Sequence, residues 1–437
     1  MARPTANVPN GGLHNGRLEG DGKEEPLGDV ELERQRMIDR IAGLPKSVDV
    51  FAVSFLDELF DFAKRIGTSD IHLQPVRDGL QVSFRDDGML KTLDIFDGKA
   101  STAVVSRLKV LADLLTYKAD VPQEGRVKHS HGGNKSVAGA EVRVSTFPTM
   151  YGERAVLRFF GHHGEYKHLE DLGHNDSILQ SLREAIEETS GALLVCGPAG
   201  SGKSTTLYSC LRHLQKHYRG TRAVLTVEDP IEVPIEGIAQ SQVNAPAGFD
   251  LHTALRSLLR QDPEVFVVGE VRDPITAQIA FQACLAGQLM LATFHADSVA
   301  TAITRMIDMG IEPYQMRSGL IGILCQRLVR KPCECAYWTE DHSAKCGLPV
   351  SGTMVAQECE KCQSTGYRGR RIIGEYLSLR ESDAASELVT SKDSRVIYRR
   401  ACELGMKSIW QHATELVQNG ETTAAEVRRV LGRTMRI

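Results

Sequence analysis

Residues 197–205 read Gly197-Pro198-Ala199-Gly200-Ser201-Gly202-Lys203-Ser204-Thr205, and this stretch decides the fold of the chain. It matches the pattern G-x-x-x-x-G-K-[ST] of a phosphate-binding loop. A short apolar run at 192–196, typical of a buried parallel strand, precedes it, and residues 204–216 have the pattern of a helix. A glycine-rich turn that matches by chance is the alternative. Because strand, loop, lysine and helix follow in register, we expect a phosphate site.

The chemistry expected of such a loop follows from its residue types. Its glycines let the backbone fold around an anion, so that successive N–H groups face the β-phosphate of a nucleoside triphosphate. The helix N-terminus adds a partial positive charge. Lys203 would reach the β- and γ-phosphates, and Ser204 would offer its hydroxyl to Mg²⁺. We therefore predict that all nine residues of the stretch line a nucleotide site.

Composition narrows the class of protein. At 437 residues, 42% hydrophobic and 25% charged, the chain has the length and balance of two or three globular domains. It has no long apolar run and begins with no signal-peptide pattern, so we expect a cytoplasmic protein with reduced cysteines. A net charge of −4 provides no basic footprint for duplex nucleic acid, and no direct nucleic-acid partner is expected.

The pattern along the chain predicts six segments. A polar, glycine-containing start predicts a flexible tail at 1–45. Helical spacing and then paired strands predict a small α+β domain at 46–162, followed by a histidine-containing linker at 163–175. Alternating strands and helices at 176–330 predict an α/β domain with a parallel sheet. A cysteine-bearing segment at 331–382 and a helical region at 383–437 complete the chain.

Several polar residues follow the apolar runs of the α/β domain. Ligands bind off the carboxyl ends of parallel strands, so these residues should meet at one edge of the sheet. Glu270 could hold the water shell of Mg²⁺ or polarise the attacking water, and Glu228 would be a second acid. His295 could sense the γ-phosphate. The alternatives are a strand-capping acid, an acidic turn and a structural histidine, respectively.

Four of the ten cysteines form two close pairs, which are Cys333 with Cys335 and Cys359 with Cys362. In a reducing compartment such pairs favour a Zn²⁺ site. The second pair has the C-x-x-C spacing of a zinc knuckle, whereas the first is C-x-C, and Cys346 is a possible substitute ligand. The other five cysteines lie in apolar or helical runs and are predicted to be small core residues.

Together these motifs resemble the secretion ATPase superfamily, most closely the type II secretion and type IV pilus assembly ATPases. Residues 226–232 are similar to the Asp box of that family, 259–273 to its Walker B region and 293–298 to its His box. The cysteine pairs and residues 365–370 also match. The segments that resemble its second N-terminal domain are residues 69–75, 84–88, 122–126 and 143–148.

The resemblance implies a RecA-like P-loop ATPase domain, preceded by a PAS-like α+β domain and carrying a tetracysteine insertion. It implies ATP, Mg²⁺ and Zn²⁺ as ligands and makes Glu228 and Glu270 the catalytic acids. It also implies that Arg143 and Arg158 of the N-terminal domain fold onto the nucleotide. A guanidinium over the γ-phosphate would stabilise the charge that spreads there during transfer. A salt bridge on the strand surface is the alternative role for each arginine.

The resemblance further implies a homo-hexamer at the inner face of the cytoplasmic membrane, which powers assembly of a type II secretion pseudopilus or a type IV pilus. Its partners would be an inner-membrane platform protein and a cytoplasmic docking protein. Many members dock through an extra folded N-terminal domain, which the sequence lacks, so we expect docking to be reduced or different here.

Two other functions stay open at this point. One is a nucleotide-gated scaffold with negligible hydrolysis, because Gln288 stands where the family usually has a histidine and the His box has Ala-Asp for Thr-Asn. The other is a DNA-uptake or conjugation motor, since related ring ATPases move DNA. The cysteine pairs and the near-neutral charge argue against that second alternative.

Overall fold

The computed structural model describes residues 30–44, 47–97, 101–127, 142–159, 168–362, 364–380 and 388–432. Residues 1–29 of the predicted tail and 163–167 of the predicted linker lie outside these ranges. None of the described helices combines the length and the apolar character that spanning a bilayer requires.

The N-terminal domain is an antiparallel sheet with helices packed on one face. Its elements are α1 (Val30–Ala42), α2 (Val48–Ile66), β1 (Asp70–Val76), β2 (Gly79–Asp86), β3 (Met89–Asp97), α3 (Ser101–Leu111), β4 (Gln123–Val127), β5 (Val142–Thr149) and β6 (Gly152–Phe159). Six described strands lie in the order β3-β2-β1-β6-β5-β4. Side chains alternate along β1, so that Ile71 and Leu73 enter the core while Asp70 and His72 lie on the opposite face.

Helix α1 corrects the prediction of a flexible tail through residue 45. Met37 and Ile41 lie one helical turn apart and are buried in the same core as the apolar side of α2. The Arg34 guanidinium also donates to the Leu93 carbonyl oxygen at 2.9 Å. The segment is polar on average, and its two buried apolar residues gain packing partners only when α2 and the sheet are in place. The tail prediction was therefore wrong from residue 30 to residue 42.

The rest of the chain folds around a second sheet. Its first part comprises α4 (Asp176–Glu187), β7 (Gly191–Cys196), α5 (Lys203–Tyr218), β8 (Val224–Glu228), β9 (Ala239–Gln242), α6 (Leu251–Leu258), β10 (Val265–Val271), α7 (Pro274–Leu285), β11 (Leu289–Phe294), α8 (Val299–Asp308) and α9 (Pro313–Gly319). Its second part comprises β12 (Leu320–Pro332), β13 (Tyr337–Thr339), β14 (Thr353–Val355), β15 (Tyr367–Ser378), α10 (Ser394–Glu403), α11 (Ile409–Gln418) and α12 (Ala424–Leu431).

The second sheet is parallel except at one edge, as the alternating pattern predicts. In the described residues its seven strands lie in the order β15-β12-β7-β11-β10-β8-β9, and only β15 is antiparallel to its neighbour. Strands β7 and β11 are buried at every position, because helices cover both faces of the sheet. The carboxyl ends of the parallel strands therefore form a single edge beside the phosphate loop.

The cysteine-bearing segment links the two strands of the antiparallel pair. Strand β12 ends at Pro332 and β15 begins at Tyr367, and the residues between them include the small sheet of β13 and β14. Helices α11 and α12 pack on this pair, where Val329, Ile373 and Trp410 share a core. The antiparallel pair and its helices thus extend the central sheet rather than forming a detached module.

One buried carboxylate joins three elements of this part of the chain. Glu375 of β15 is fully buried and accepts hydrogen bonds from the backbone N–H groups of Val299, at 2.9 Å, and Ile409, at 3.1 Å. These N–H groups are the first of α8 and α11, which have no partner inside their own helices. The Tyr398 hydroxyl of α10 donates a third bond at 2.8 Å. Burial raises the pKa of Glu375, and the three donors oppose that shift.

We expect the substitution Glu375→Ala to lower the free energy of unfolding by about 1–3 kcal/mol for each donor left unpaired, because buried donors without acceptors are costly. Denaturant titration of the full chain, followed by circular dichroism, measures this loss. Tyr398→Phe is the control, since it removes one bond and leaves the carboxylate with both helix N-termini. Equal losses in the two variants would contradict the role of Glu375 as a shared acceptor.

Candidate active site

The phosphate loop has the backbone that its sequence predicts. Gly197, Gly200 and Gly202 have φ values of 150°, 73° and 88°, a region that side chains with a Cβ rarely adopt. At Gly197 an added Cβ would also lie 2.6 Å from the backbone oxygen of Gln326. Conformation and space therefore both require glycine at the start of the loop.

The loop opens onto the N-terminus of α5, which has no side-chain cap. Its first N–H groups are therefore available to an anion. The Lys203 ammonium donates to the carbonyl oxygens of Gly197 and Pro198, at 3.0 and 2.9 Å. Burial lowers the pKa of Lys203, and the negative charge of Glu270 opposes this shift. The first N–H groups of α5 and the Lys203 ammonium are both donors, and together they indicate a binding site for a polyanion.

Glu228 lies at the end of β8 and is almost completely buried. The hydroxyl of Tyr208 donates to one of its oxygens, while Thr226 and the Gln240 amide donate to the other, at 2.6 and 3.0 Å. Burial and the Glu228 charge together raise the pKa of Tyr208. The structure therefore fixes Glu228 as an acceptor held by three donors, none of which the sequence analysis identified as its partner.

Glu270 lies near the end of β10 and contacts His295, which follows β11. The distance between Glu270 Oε1 and His295 Nε2 is 2.5 Å. Arg272 donates to the other carboxylate oxygen at 2.6 Å, and Arg305 donates to the backbone oxygen of His295. The structure thus brings together the acid and the histidine that the sequence predicted separately. Their neighbours hold both in place.

A further acid, which the sequence analysis left out of the site, lies beside the loop. The Ser204 hydroxyl donates to Glu232 Oε1 at 3.1 Å. Hydroxyl and carboxylate oxygens are the protein ligands that Mg²⁺ prefers, so Ser204 and Glu232 form a donor pair that fits this ion. Glu232 ends the segment that resembles the Asp box, and this was the available signal.

The predicted arginines are bound within their own domain. Arg143 Nη2 lies 2.5 Å from Glu124, and Arg158 Nε lies 2.9 Å from Asp70. Among the described residues, both pair with acids of the N-terminal sheet rather than with the phosphate loop.

Glu228, Asp229 and Glu270 lie at the carboxyl ends of the parallel strands, which we call the acidic edge. Arg126 of β4 is close to this edge, with Nη2 3.9 Å from Asp229 Oδ1 of the ATPase domain. It lies opposite Arg143 in the sheet, and Arg143 lies opposite Arg158. We call these three residues the arginine row.

Gln326 of β12 braces the phosphate loop from the side and was missed by the sequence analysis. Its fully buried amide donates to the Ser201 carbonyl oxygen at 2.8 Å and accepts from the Thr206 hydroxyl at 3.0 Å. The two bonds join positions 120 or more residues apart. Such a contact depends on the pairing of β12 with β7, which no local pattern predicts.

We expect Gln326→Leu to weaken nucleotide binding roughly tenfold, because the loop carbonyl and the Thr206 hydroxyl lose their partner at a cost of about 1–3 kcal/mol. Calorimetric titration of the full chain with ATP and Mg²⁺ measures the affinity. Thr206→Val, which breaks one of the two bonds, should have a smaller effect. An unchanged affinity in Gln326→Leu would show that the loop keeps its shape without this brace.

Comparison with known proteins agrees with this geometry. The family model of the type II/IV secretion system protein matches residues 47–429. The chain is 36% identical to the type II secretion system protein HxcR of Pseudomonas aeruginosa over 405 residues, covering 92% of this chain and 82% of that protein. It is 39% identical to the type II secretion system ATPase E of Vibrio cholerae, covering 87% and 76%. It is 37% identical to the type IV pilus assembly ATPase PilB of Thermus thermophilus, covering 86% of this chain but 42% of PilB.

Solved structures share the fold. The ATPase DotB of Legionella pneumophila has a TM-score of 0.61 at 19% identity and covers 86% of this chain and 95% of its own. The pilus retraction motor PilT, with bound ADP, has a TM-score of 0.56 at 22% identity, covering 86% and 96%. The resemblance and the RecA-like fold inferred from the motifs are confirmed, and the chain belongs to the family of type II/IV secretion system proteins.

Proposed function

We propose that this protein hydrolyses ATP and couples hydrolysis to motion of its N-terminal domain, as the motor that assembles a type II secretion pseudopilus or a type IV pilus. One observation carries the proposal. Lys203, Glu270 and His295 meet at the edge of the sheet that Arg126 of the other domain also approaches. The names of two relatives, a secretion system ATPase and a pilus assembly ATPase, support the same reaction.

The proposed roles follow from the contacts of each group. A triphosphate would draw the Lys203 ammonium away from the carbonyls of its own loop. Ser204 and Glu232 would hold Mg²⁺, which when bound neutralises charge on the phosphates. Glu270 would orient the attacking water, and His295, in contact with its carboxylate, would respond to loss of the γ-phosphate. Glu228 would hold the acidic edge in shape.

The arginine row is the proposed link between hydrolysis and motion. Arg143 and Arg158 keep about half of their side-chain surface exposed, at 43% and 59%, although each has an acid partner. The pair of Arg143 with Glu124 is exposed on both sides, and such pairs contribute little stability, so a phosphate can replace Glu124 at small cost. Asp70 is buried, but it keeps Arg85 as a partner at 3.5 Å when Arg158 leaves. Domain closure over the nucleotide would bring the row to the γ-phosphate, and product release would reopen it. This order of events makes the N-terminal domain the moving part.

The assembly around this motor is also a proposal. We infer a homo-hexamer that works at the inner face of the cytoplasmic membrane with a platform protein in that membrane and a cytoplasmic docking protein. A ring would let the exposed arginine row of one copy serve a site at a subunit boundary. Sedimentation velocity of Glu270→Gln with ATP and Mg²⁺ tests the ring, since a chain that stays monomeric would exclude it.

We expect Lys203→Ala and Glu270→Gln to abolish steady-state ATP hydrolysis by different routes. Loss of Lys203 removes contacts to the phosphates and should weaken ATP binding. Glu270→Gln should retain binding but lower kcat by a factor of about 100 or more, because one group that orients the reaction is missing. Phosphate release and ATP affinity, measured on the same preparations, separate the two effects. Hydrolysis that survives either change would contradict the proposed site.

Matched controls accompany this assay. Glu403 is an exposed carboxylate at the end of α10 that pairs with Arg400 of the same helix. Glu403→Gln should therefore leave kcat unchanged. Arg143→Ala should lower kcat, whereas Arg77→Ala, in the exposed turn between β1 and β2 of the same domain, should not. A single-turnover experiment distinguishes the scaffold alternative, since a scaffold would leave bound ATP intact. Stimulation by duplex DNA that disappears with added salt would favour a DNA motor instead.

A structural Zn²⁺ site is the second part of the proposal. The sulfur atoms of Cys333 and Cys359 are 3.8 Å apart, those of Cys335 and Cys362 3.9 Å, and those of Cys359 and Cys362 3.6 Å. Four sulfurs at the usual Zn–S distance of about 2.3 Å in a tetrahedron are roughly 3.8 Å apart. The four thiols therefore fit the ion. Cys346 is exposed and lies outside this group, so it is not needed as a substitute ligand.

The surroundings of the thiols also suit a metal. Burial tends to raise the pKa of Cys362, but hydrogen bonds with the backbone of Cys359 and Gly366 lower it to about 7. The Gly366 N–H lies 3.2 Å from the sulfur and would stabilise a thiolate. The segment closes the ends of β12 and β15, where the Cys333 N–H donates to the Gly366 oxygen at 2.9 Å. Zinc there would fix the end of the antiparallel pair.

We expect elemental analysis to find one Zn²⁺ bound by these thiols per chain, lost in Cys359→Ser and retained in Cys346→Ser. Loss of the ion should also lower the thermal midpoint, because the ligands are brought together only in the folded chain. Finding no metal in the wild-type chain purified without chelators would refute the site.

A further inference from the structure

A second group of potential metal ligands lies near the C-terminal end of α5, whereas the phosphate loop precedes the N-terminal end of this helix. His213 and His217 are four residues apart, near the C-terminal end of this helix, and Glu187 is the last residue of α4. One ligand atom from each of the three lies within 4.8 Å of the others. The imidazole rings are parallel within 6°, with centroids 5.9 Å apart. Residues four apart share a helix face, so one ion can reach both rings.

The state of the two histidines indicates that they are not merely surface residues. His213 Nε2 is buried and has no hydrogen-bond partner among the described residues. A buried ring nitrogen is normally paired, and an orphaned one needs an explanation. His217 is exposed, so solvent and ions have access from that side. A cation bound at the nitrogen edges of the two rings would satisfy the buried nitrogen and leave a coordination position open to water.

The charges around the rings favour a cation. Glu187 contributes a carboxylate, and His217 lies in the last turn of α5, at the negative end of the helix dipole. The nearby guanidinium of Arg183 is bound to Glu170 at 2.5 Å. The charge of Arg183 is therefore matched by a carboxylate of its own. Two imidazoles with one carboxylate suit borderline transition ions such as Zn²⁺ and exclude the oxygen-ligated Mg²⁺ and Ca²⁺.

We propose that Glu187, His213 and His217 form a binding site for a divalent transition ion of the Zn²⁺ class. The site is separate from the tetracysteine group and from the nucleotide site. Its ligands belong to α4 and α5, which share an apolar core through residues such as Leu182 and Leu211. A bound ion links the end of the helix that carries the phosphate loop to the first helix of the ATPase domain. Metal binding therefore stabilises this pair of helices.

The test counts bound Zn²⁺ by equilibrium dialysis of the full chain in four forms: wild type, His217→Ala, Cys359→Ser and the double variant. His217 is exposed, so its replacement spares the fold. We expect His217→Ala to remove one ion, or to weaken its binding at least tenfold, in both cysteine backgrounds. The comparison is valid whether or not the cysteines bind zinc, because it uses only the difference in zinc content between chains with His217 and chains with His217→Ala. Equal zinc content with and without His217 overturns the proposal.

Two matched variants sharpen the result. His342→Ala removes another exposed histidine and should leave the zinc content unchanged. Glu187→Gln should weaken binding, whereas Glu184→Gln, three residues earlier on α4, should not. In the Cys359→Ser background, added Zn²⁺ should raise the thermal midpoint, and His217→Ala should abolish that rise. Zinc binding that persists in both His217→Ala and Glu187→Gln would identify it as non-specific.

Discussion

The register of three parallel strands is the constraint on which the nucleotide site depends. Strand β7 lies between β11 and β12, and three residues are level across them, which are Cys196, Phe294 and Cys325. The next residues are Gly197, which begins the loop, His295 and Gln326. A shift of one residue in either pairing would turn these side chains to the other face of the sheet. Packing of the buried strands therefore sets the chemistry of the edge, since their apolar side chains allow only one register.

Much of this arrangement could be predicted, because its signals are short patterns of residues that are close together in sequence. Glu228, Glu270 and His295 lie at or next to the ends of three short apolar strands, and the carboxyl ends of parallel strands meet at one edge of the sheet. The loop was recognisable because its glycines and lysine have fixed spacing. The contact between Glu270 and His295 followed from the neighbouring positions of β10 and β11, although the sequence could not order these strands.

The features that escaped prediction depend on contacts distant in sequence. Gln326 acts through a strand more than a hundred residues after the loop, and Glu232 reaches Ser204 only because the segment after β8 turns back. Helix α1 is too polar to identify by composition, and its core contacts appear only when α2 is folded. Arg143 and Arg158 were expected at the nucleotide, but they pair within their own sheet, and Arg126 is the arginine near the acidic edge. Their catalytic roles stay predictions.

The contacts of Lys203 with its own loop have a consequence for which ligands the site accepts. Its ammonium group already has two oxygen partners, Gly197 and Pro198, before any anion arrives. When an anion binds, the Lys203 ammonium exchanges these two carbonyl oxygens for oxygens of the ligand. The gain in binding free energy is therefore only the difference between the two sets of contacts. A single phosphate provides little surplus, whereas a triphosphate also contacts the helix N-terminus and brings its cation. We therefore expect the loop to favour a triphosphate over a single phosphate such as the one that hydrolysis leaves behind.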